Sequence, residues 1–188
     1  MRTLAITQNI TVDGSIEFLG EWFDPQKQAD VDSTDLLAEL HRQDRQSDAM
    51  LLGRRTFEDF RTYWPTQAED PTGITAYLDQ VQKYVVSSTI TDARWQNSTI
   101  LPGDPLDAVR ALKEQPGQDI VVTGSISLCH TLIEAGLVDE FRLFGYPVVQ
   151  GGGRRLFPDG FALPRLKLTQ TMGFRCGVTY SCYTPAPN

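Results

Sequence analysis

The sequence Gly53-Arg54-Arg55-Thr56 places two arginines and a threonine directly after the apolar residues 49–52. A helix is predicted over residues 56–63, so the motif lies where a buried strand gives way to a helix. The first N–H groups of a helix lack partners within the helix, and two guanidinium groups stand beside them here. The motif therefore suits an anion such as a phosphate. The alternative is an ordinary strand-to-helix turn with two solvated arginines, since arginine is mostly exposed in proteins.

A second candidate for anion binding is the hydroxyl run Ser87, Ser88 and Thr89, which closes a strand predicted over residues 83–89. Hydroxyl groups bind phosphate in many proteins, but they also satisfy the backbone of ordinary turns. Both interpretations stay open from these residues alone.

The third candidate joins a nearly continuous apolar strand, predicted over residues 119–123, to a helix predicted over residues 126–134. A small residue such as Gly124 at the strand end lets a diphosphate approach the backbone, and the N–H groups that begin the helix then donate to it. Gly124 has no glycine neighbour, so the motif is not the six-residue glycine fingerprint of dinucleotide-binding folds.

Other residues with suggestive chemistry have simpler interpretations. Gly151-Gly152-Gly153-Arg154-Arg155 looks like a phosphate loop but lacks its Lys-Ser/Thr ending, so a tight connection between two strands is favoured. Cys129, Cys176 and Cys182 lack the paired short spacing of a metal site, and we expect buried or idle thiols. Both histidines fall in predicted helices without an evident nucleophile partner.

The elements that position these motifs alternate between strand and helix. In addition to those given above, the pattern predicts strands over residues 2–12, 100–101 and 137–149, helices over 33–46, 75–82 and 105–115, and a covering loop over 15–30. Residues 166–172 and 178–183 pair as a terminal antiparallel hairpin. This order predicts an α/β layer fold with a mixed sheet.

Composition limits the classes of partner. The chain has 188 residues with 40% hydrophobic and 22% charged residues, which predicts one globular domain over residues 1–188. It has no apolar run of membrane-spanning length, and its first residues are too polar for a signal peptide, so we expect a cytoplasmic protein. A net charge of −7 without a long Lys/Arg run disfavours nucleic acid and anionic membrane as partners and favours a small anionic ligand.

Five short motifs in this order resemble the dihydrofolate reductase superfamily, and within it the branch similar to the C-terminal reductase domain of bacterial riboflavin biosynthesis. The motifs are Val12-Asp13-Gly14, Leu52-Gly53-Arg54-Arg55-Thr56-Phe57, Val85-Val86-Ser87-Ser88-Thr89, Val122-Thr123-Gly124-Ser125 and Gly136-Leu137-Val138-Asp139-Glu140. The resemblance covers nearly the whole chain. It implies a three-layer α/β fold with a mixed, mostly parallel central sheet, and NADPH as the cofactor. Related proteins often form homodimers through their terminal strands, which is the expectation here.

The resemblance also implies roles for individual residues. The 2′-phosphate and diphosphate of NADPH would be held by Gly53, Arg54, Arg55, Thr56, Ser87, Ser88 and Thr89, and the diphosphate also by Thr123, Gly124, Ser125, Ile126 and Ser127. A guanidinium can clasp the doubly charged 2′-phosphate through two charge-assisted bonds, which favours NADPH over NADH. Asn9 and Ile16 would face the nicotinamide carboxamide with backbone groups. The family has two glycines at the position of Gly124-Ser125, so this chain departs from the pattern there.

On the substrate side, the family uses an early carboxylate to protonate its substrate, and Asp35 is the nearest match, with a two-residue gap in its spacing to Gly53. The alternative interpretation of Asp35 is a solvent-exposed acid that caps a helix. Proton donation would instead require an apolar pocket that raises the pKa of this carboxyl group. Trp22 and Phe57 are expected to line the substrate pocket.

The expected function is that of an NADPH-dependent reductase, which transfers a hydride to a small heterocyclic substrate such as a pterin or a ribosylaminopyrimidine. A non-catalytic NADPH-binding protein of the same fold is the alternative.

Overall fold

A computed structural model describes residues 1–20, 22–23, 31–67, 69–163 and 165–186. The helices are Thr34–Asp44 (α1), Arg54–Tyr63 (α2), Ile74–Gln80 (α3), Pro105–Glu114 (α4) and Ile126–Glu134 (α5), with one 3-10 turn at Trp64–Thr66. The strands are Leu4–Thr11 (β1), Ser47–Gly53 (β2), Gln82–Val86 (β3), Ser98–Leu101 (β4), Asp119–Val122 (β5), Glu140–Tyr146 (β6), Leu166–Gly173 (β7) and Thr179–Pro185 (β8). Among the described residues, no helix is long and apolar enough to span a bilayer.

The strands of the described residues form an eight-stranded sheet in the order β4-β3-β2-β5-β1-β6-β8-β7. Strands β1 to β6 are parallel to one another, whereas β8 is antiparallel to β6 and β7 is antiparallel to β8. The predicted mixed sheet with a terminal hairpin is therefore confirmed. Helices connect most of the parallel strands and cover both faces of the parallel part of the sheet.

Side-chain alternation in β2 shows the three layers. Leu51 packs in the same cluster as Ile126 of α5, whereas Leu52 packs on the opposite face with Phe57 and Leu78 of α2 and α3. Leu51 and Leu52 are fully buried, and each such leucine contributes about 1.5–3 kcal/mol to folding. The predicted three-layer arrangement is thus confirmed, with the sheet as its middle layer.

Element boundaries differ from the prediction at two places that matter for the site. Helix α2 begins at Arg54, two residues before its predicted start, so both arginines belong to its first turn. Strand β3 ends at Val86, so the hydroxyl run follows the strand instead of closing it. The N-cap of α4 agrees with its sequence signal, because the Asp104 carboxylate accepts hydrogen bonds from two N–H groups of the first turn.

Candidate functional site

The three predicted anion-binding turns lie side by side at one edge of the sheet. Strands β3, β2 and β5 are parallel neighbours in that order, so their carboxyl ends meet at the same edge. Ser87 follows β3, Gly53 ends β2, and Thr123 follows β5. Ligands of open α/β sheets bind outside the carboxyl ends of the strands, which makes this edge the candidate site.

Two of these turns are tied directly to each other. The N–H of Gly53 donates to Ser125 Oγ at 2.9 Å, and the N–H of Ser125 donates to Thr56 Oγ1 at 2.8 Å. Helix α2 begins immediately after Gly53 and helix α5 immediately after Ser125. The two bonds therefore hold two helix N-termini next to each other, and their combined partial positive charge favours an anion with several oxygens.

Gly124 and Ser125 both have left-handed backbone conformations, with φ of 56° and 48°. A Cβ atom on Gly124 would lie 2.9 Å from Thr56 Cγ2, so glycine is required at this position. Ser125 pays about 1–2 kcal/mol for its left-handed conformation, and the hydrogen bonds of its hydroxyl and its N–H offset that cost. This explains how the turn forms with serine where the family pattern has a second glycine.

Gln8 is a member of the site that sequence reasoning missed. This buried side chain in β1 donates to the carbonyl oxygen of Gly124 at 2.7 Å. The thiol of Cys129 donates to the same carbonyl at 3.4 Å, and burial raises its pKa to about 12, so the thiol stays protonated. Both donors hold the carbonyl oxygen of Gly124 in place and so stabilise the turn. The available signal was that Gln8 interrupts the apolar alternation of β1.

A groove of about 850 Å³ opens at the carboxyl ends of β3 and β4. Its polar wall includes Arg54 of α2, whose guanidinium is half exposed and lies 3.5 Å from Glu58. The opposite wall lies at the end of β4 and contains Ile100, Leu101, Pro102, Gly103 and Pro105. The sequence analysis did not predict this wall, although the Pro-Gly turn after a short strand is a signal that could have indicated it. The volume falls within the range of small-molecule pockets, about 300–1,000 Å³. Arg55 is exposed beside Arg54.

The three hydroxyl residues 87–89 have two different roles beside this groove. Ser87 Oγ accepts hydrogen bonds from the N–H groups of Thr89 at 3.2 Å and Ile90 at 3.0 Å, so it satisfies the turn. Ser88 and Thr89 are exposed in the wall of the groove, and the Ser88 hydroxyl bonds to none of the described residues. The sequence left two interpretations open for these hydroxyl groups. Ser87 satisfies the backbone of a turn, whereas the hydroxyl of Ser88 is free to bind a phosphate.

Asn9 and Ile16 have different surroundings. Successive residues of a strand point to opposite faces, and because Gln8 reaches the α5 side, Asn9 lies on the face covered by α1. The side chain of Ile16 is buried, and its N–H already donates to the carbonyl oxygen of Arg154 at 3.0 Å. This bond occupies the Ile16 N–H, so the expected backbone contact of Ile16 with the nicotinamide stays a prediction for its carbonyl oxygen.

The two expected substrate-contacting aromatic residues are placed very differently. The indole N–H of Trp22 donates to Gln150 Oε1 at 2.6 Å, and its ring meets Tyr146 edge-on at 5.4 Å, so it belongs to an aromatic surface at the carboxyl edge. Phe57 is fully buried against Trp95, with ring centroids 5.8 Å apart. Phe57 is therefore a core residue, and its substrate role is corrected. Residues 21 and 24–30 of the expected covering loop lie outside the described residues.

Asp35 forms an ion pair. Its Oδ2 accepts hydrogen bonds from the backbone N–H of Arg175 at 3.1 Å and from the Arg175 Nε at 3.4 Å, while Leu36 N–H donates to Oδ1. Desolvation acts to raise the pKa of Asp35, but the bonds from Arg175 and Leu36 and the charge of Arg175 outweigh it, and the pKa is lowered. This direction is opposite to the one that proton donation requires.

The glycine-rich segment 151–155 is held by carboxylates. The Asp13 side chain accepts hydrogen bonds from the Thr11 hydroxyl and from the N–H groups of Gln150 and Gly151, and these bonds lower its pKa to about 2. Arg154 pairs with Glu17 at 2.7 Å. Asp13 thus occupies N–H groups that a phosphate would need, which agrees with the simpler interpretation of this segment as a connection.

Comparison with known sequences identifies relatives along nearly the whole chain. The family model described as RibD C-terminal domain matches residues 2–180. The uncharacterized protein YyaP of Bacillus subtilis (strain 168) is 35% identical over 190 residues, which cover 97% of this chain and 94% of the relative. The uncharacterized protein YwjB of the same organism is 25% identical over 162 residues, which cover 86% of this chain and 82% of the relative.

Solved structures with a similar fold carry names that refer to reductases or riboflavin biosynthesis. A Shewanella sp. PV-4 protein named for riboflavin biosynthesis superposes with a TM-score of 0.70 at 16% identity, covering 98% of this chain and 99% of that one. A pyrimidine reductase-like protein from Corynebacterium diphtheriae gives 0.63 at 18% identity, covering 100% and 93%. A Thermotoga maritima diaminohydroxyphosphoribosylaminopyrimidine deaminase/5-amino-6-(5-phosphoribosylamino)uracil reductase gives 0.66 at 15% identity, covering 98% of this chain but 57% of that one. At these identities the likeness concerns the fold.

Proposed function

Since the chain belongs to the RibD C-terminal domain family, we propose that it is a reductase that binds NADPH at the carboxyl edge of its sheet and transfers a hydride to a small heterocyclic substrate. One observation carries this proposal. The bonds among Gly53, Thr56 and Ser125 hold two helix N-termini together beside a groove that contains Arg54 and Ser88.

The residues at this edge fit the phosphate groups of NADPH. The first N–H groups of α2 and α5 are unpaired within their helices, which suits a diphosphate, and Gly124 adds no side chain that would obstruct it. Arg54 is accessible in the groove, where it suits the 2′-phosphate, and the exposed Arg55 lies beside it. The apolar wall that follows β4 suits the adenine ring.

When bound, the nicotinamide supplies the hydride, and the residues of this chain hold and orient the reactants. The N–H groups of the two helices fix the diphosphate, which sets the position of the rest of the cofactor along the edge. The partly exposed Trp22 rests edge-on against the buried Tyr146 near the end of β1, where the indole ring would pack on a planar substrate and exclude water from it.

The substrate class we propose is a ribosylaminopyrimidine or a pterin. The names of the Thermotoga maritima and Corynebacterium diphtheriae proteins support a pyrimidine-type substrate. We further propose that the protein acts in the cytoplasm as a homodimer, with the edge strand β7 as the contact. This strand has a free edge in the described chain, and most of its side chains are exposed.

A second candidate function is NADPH binding without turnover. It is favoured by Asp35, since this carboxylate is paired with Arg175 and its pKa is lowered. A reductase of this type would need its proton from another group or from water.

Oxidation of NADPH in the presence of a panel of pterins and ribosylaminopyrimidines separates the two candidates. The reductase proposal predicts substrate-dependent loss of NADPH absorbance with at least one panel member. If NADPH binds in a direct titration but no panel member is reduced, the non-catalytic candidate holds. If NADPH does not bind, both are overturned.

A further inference from the structure

A second cavity, the amino-edge cavity, lies between α1, α3 and the beginning of β2 and has a volume of about 430 Å³. Strand β2 begins at Ser47 in this cavity and ends at Gly53 in the candidate cofactor site. Six steps along a strand span about 20 Å. The amino-edge cavity is therefore separate from the site described above.

The amino-edge cavity contains two hydrogen-bond acceptors that the described residues do not use. Asp44 lines the cavity, and its carboxylate has neither a hydrogen bond nor an ion pair with any described residue. His41 Nε2 lies 2.8 Å from the carbonyl oxygen of Thr72. A carbonyl only accepts, so Nε2 carries the hydrogen, and Nδ1 of the neutral ring is an acceptor without a partner among the described residues.

The surroundings of Asp44 favour an incoming cation. Helix α1 ends at Asp44 and helix α3 ends at Gln80, so two helix C-termini, each with partial negative charge, border the cavity. Asp48 also lines the cavity, although it is paired with Arg2. Arg45 is exposed and forms no salt bridge with any described residue. Desolvation raises the pKa of Asp44 to about 6 and outweighs the opposing charge of Arg45.

The remaining wall suits the hydrocarbon part of a ligand. Ala76 and Val81 provide apolar surface. The hydroxyl groups of Tyr77 and Ser47 lie 2.9 Å apart, and Ser47 Oγ donates to the carbonyl oxygen of Asp44 at 3.2 Å, so both hydroxyl groups are bonded within the protein. Among the described residues, no group of three or more His, Cys, Asp or Glu side chains is arranged to hold a metal ion. An organic cation thus matches the cavity better than a metal does.

We propose that the amino-edge cavity is a second binding site, which takes a small organic cation with at least two N–H donors, such as an amidinium or a guanidinium group. One donor would bond to the Asp44 carboxylate and another to His41 Nδ1. Such a pair of bonds satisfies both unused acceptors at once.

Calorimetric titration with benzamidinium and with neutral benzamide tests this proposal, because the two probes share their shape but differ in charge. We expect benzamidinium to bind at least about tenfold more tightly than benzamide, because one hydrogen bond to a charged group contributes about that much to affinity. Equal binding of the two probes, or no binding of benzamidinium in the millimolar range, would overturn the proposal.

The variant Asp44→Asn locates the binding, and Glu114→Gln is its matched control. Glu114 is an exposed carboxylate at the end of α4 that lines neither the groove nor the amino-edge cavity. We expect Asp44→Asn to lose about tenfold or more in benzamidinium affinity and Glu114→Gln to lose none. An unchanged affinity in Asp44→Asn, or an equal loss in both variants, would contradict the assignment. Circular dichroism shows that both variants are folded.

The affinity for benzamidinium should also depend on pH. Since Asp44 titrates near pH 6, lowering the pH from about 8 to about 5 leaves roughly one carboxylate in ten ionised and should weaken binding about tenfold. The other titratable groups that face the cavity are His41, Arg45, Asp48 and Tyr77. Affinity that stays constant over this range would overturn the role of Asp44.

Discussion

The side chain of Thr56 in α2 accepts a hydrogen bond from the backbone N–H of Ser125 at 2.8 Å, across the ends of two neighbouring strands. Ser125 Oγ in turn accepts from the N–H of Gly53 at 2.9 Å. This reciprocal pair sets the spacing of two helix N-termini before a ligand arrives. A site formed in advance loses less free energy to ordering when it binds.

Replacing Thr56 by valine tests this link. The substitution keeps the shape of the side chain but removes the acceptor for Ser125 N–H, and both residues are only partly buried. We expect a loss of about 1–2 kcal/mol in the free energy of unfolding, measured by urea denaturation. Thr56→Ser keeps the hydroxyl and serves as the control. A loss as large in Thr56→Ser as in Thr56→Val would show that the methyl group, not the hydrogen bond, is responsible.

Gly124→Ala should affect both stability and cofactor affinity. The left-handed backbone costs about 1–2 kcal/mol for any residue with a Cβ, and the new Cβ would also displace Thr56. Gly160→Ala is the matched control, since Gly160 has a φ of 76° and open space around its Cβ position. We expect both variants to lose stability in thermal denaturation but only Gly124→Ala to lose NADPH affinity. NADPH affinities that fall equally would argue against a site at Gly124.

The two arginines should discriminate between the dinucleotides. Arg54→Ala and Arg55→Ala are each expected to weaken NADPH binding about tenfold or more while changing NADH binding little, because the 2′-phosphate is the group that we propose they contact. Arg110 of α4 is exposed and paired with Asp107, so Arg110→Ala supplies the same charge change away from the edge. Fluorescence titration measures each affinity. Equal losses for NADPH and NADH would contradict the assigned role.

Asp44 should make stability depend on pH. Its pKa is raised from 3.8 to about 6 in the folded protein, so the folded state holds its proton more tightly than the unfolded state. The stabilising effect of this proton is present below about pH 4 and is lost as the pH rises through about 6. Asp44→Asn should therefore match the wild type at low pH and exceed it at neutral pH by roughly 1 kcal/mol, after allowance for solvent screening. Urea denaturation across this range provides the measurement, and a difference that does not change with pH would refute it.

The sequence predicts the order of elements and the three turns because those signals are local. Apolar periodicity marks β2 and β5, and the Asp104-Pro105 pair marks the start of α4. These features depend on residues a few positions apart. The structure accordingly agrees with the sequence for the three-layer fold and for the adjacency of the predicted turns.

The features that the sequence does not predict are contacts between distant residues. Gln8 bonds to Gly124 across 116 positions, and Asp35 meets Arg175 across 140 positions. Neither pair has a local sequence signature. The hydrogen bond from Gln8 to the Gly124 turn and the lowered pKa of Asp35 are therefore evident only from the folded structure. Phe57 is misjudged for a related reason. Because α2 begins at Arg54, Phe57 is its fourth residue and packs beneath the helix.

Calorimetric titration of the wild-type protein with NADPH and with NADH tests most directly our claim that the turns after β2, β3 and β5 hold one phosphorylated nicotinamide cofactor. The arrangement of Arg54, Gly124 and Ser125 predicts saturable NADPH binding at least about tenfold tighter than NADH binding. Equal affinity for the two dinucleotides, or no binding of NADPH, would contradict the claim.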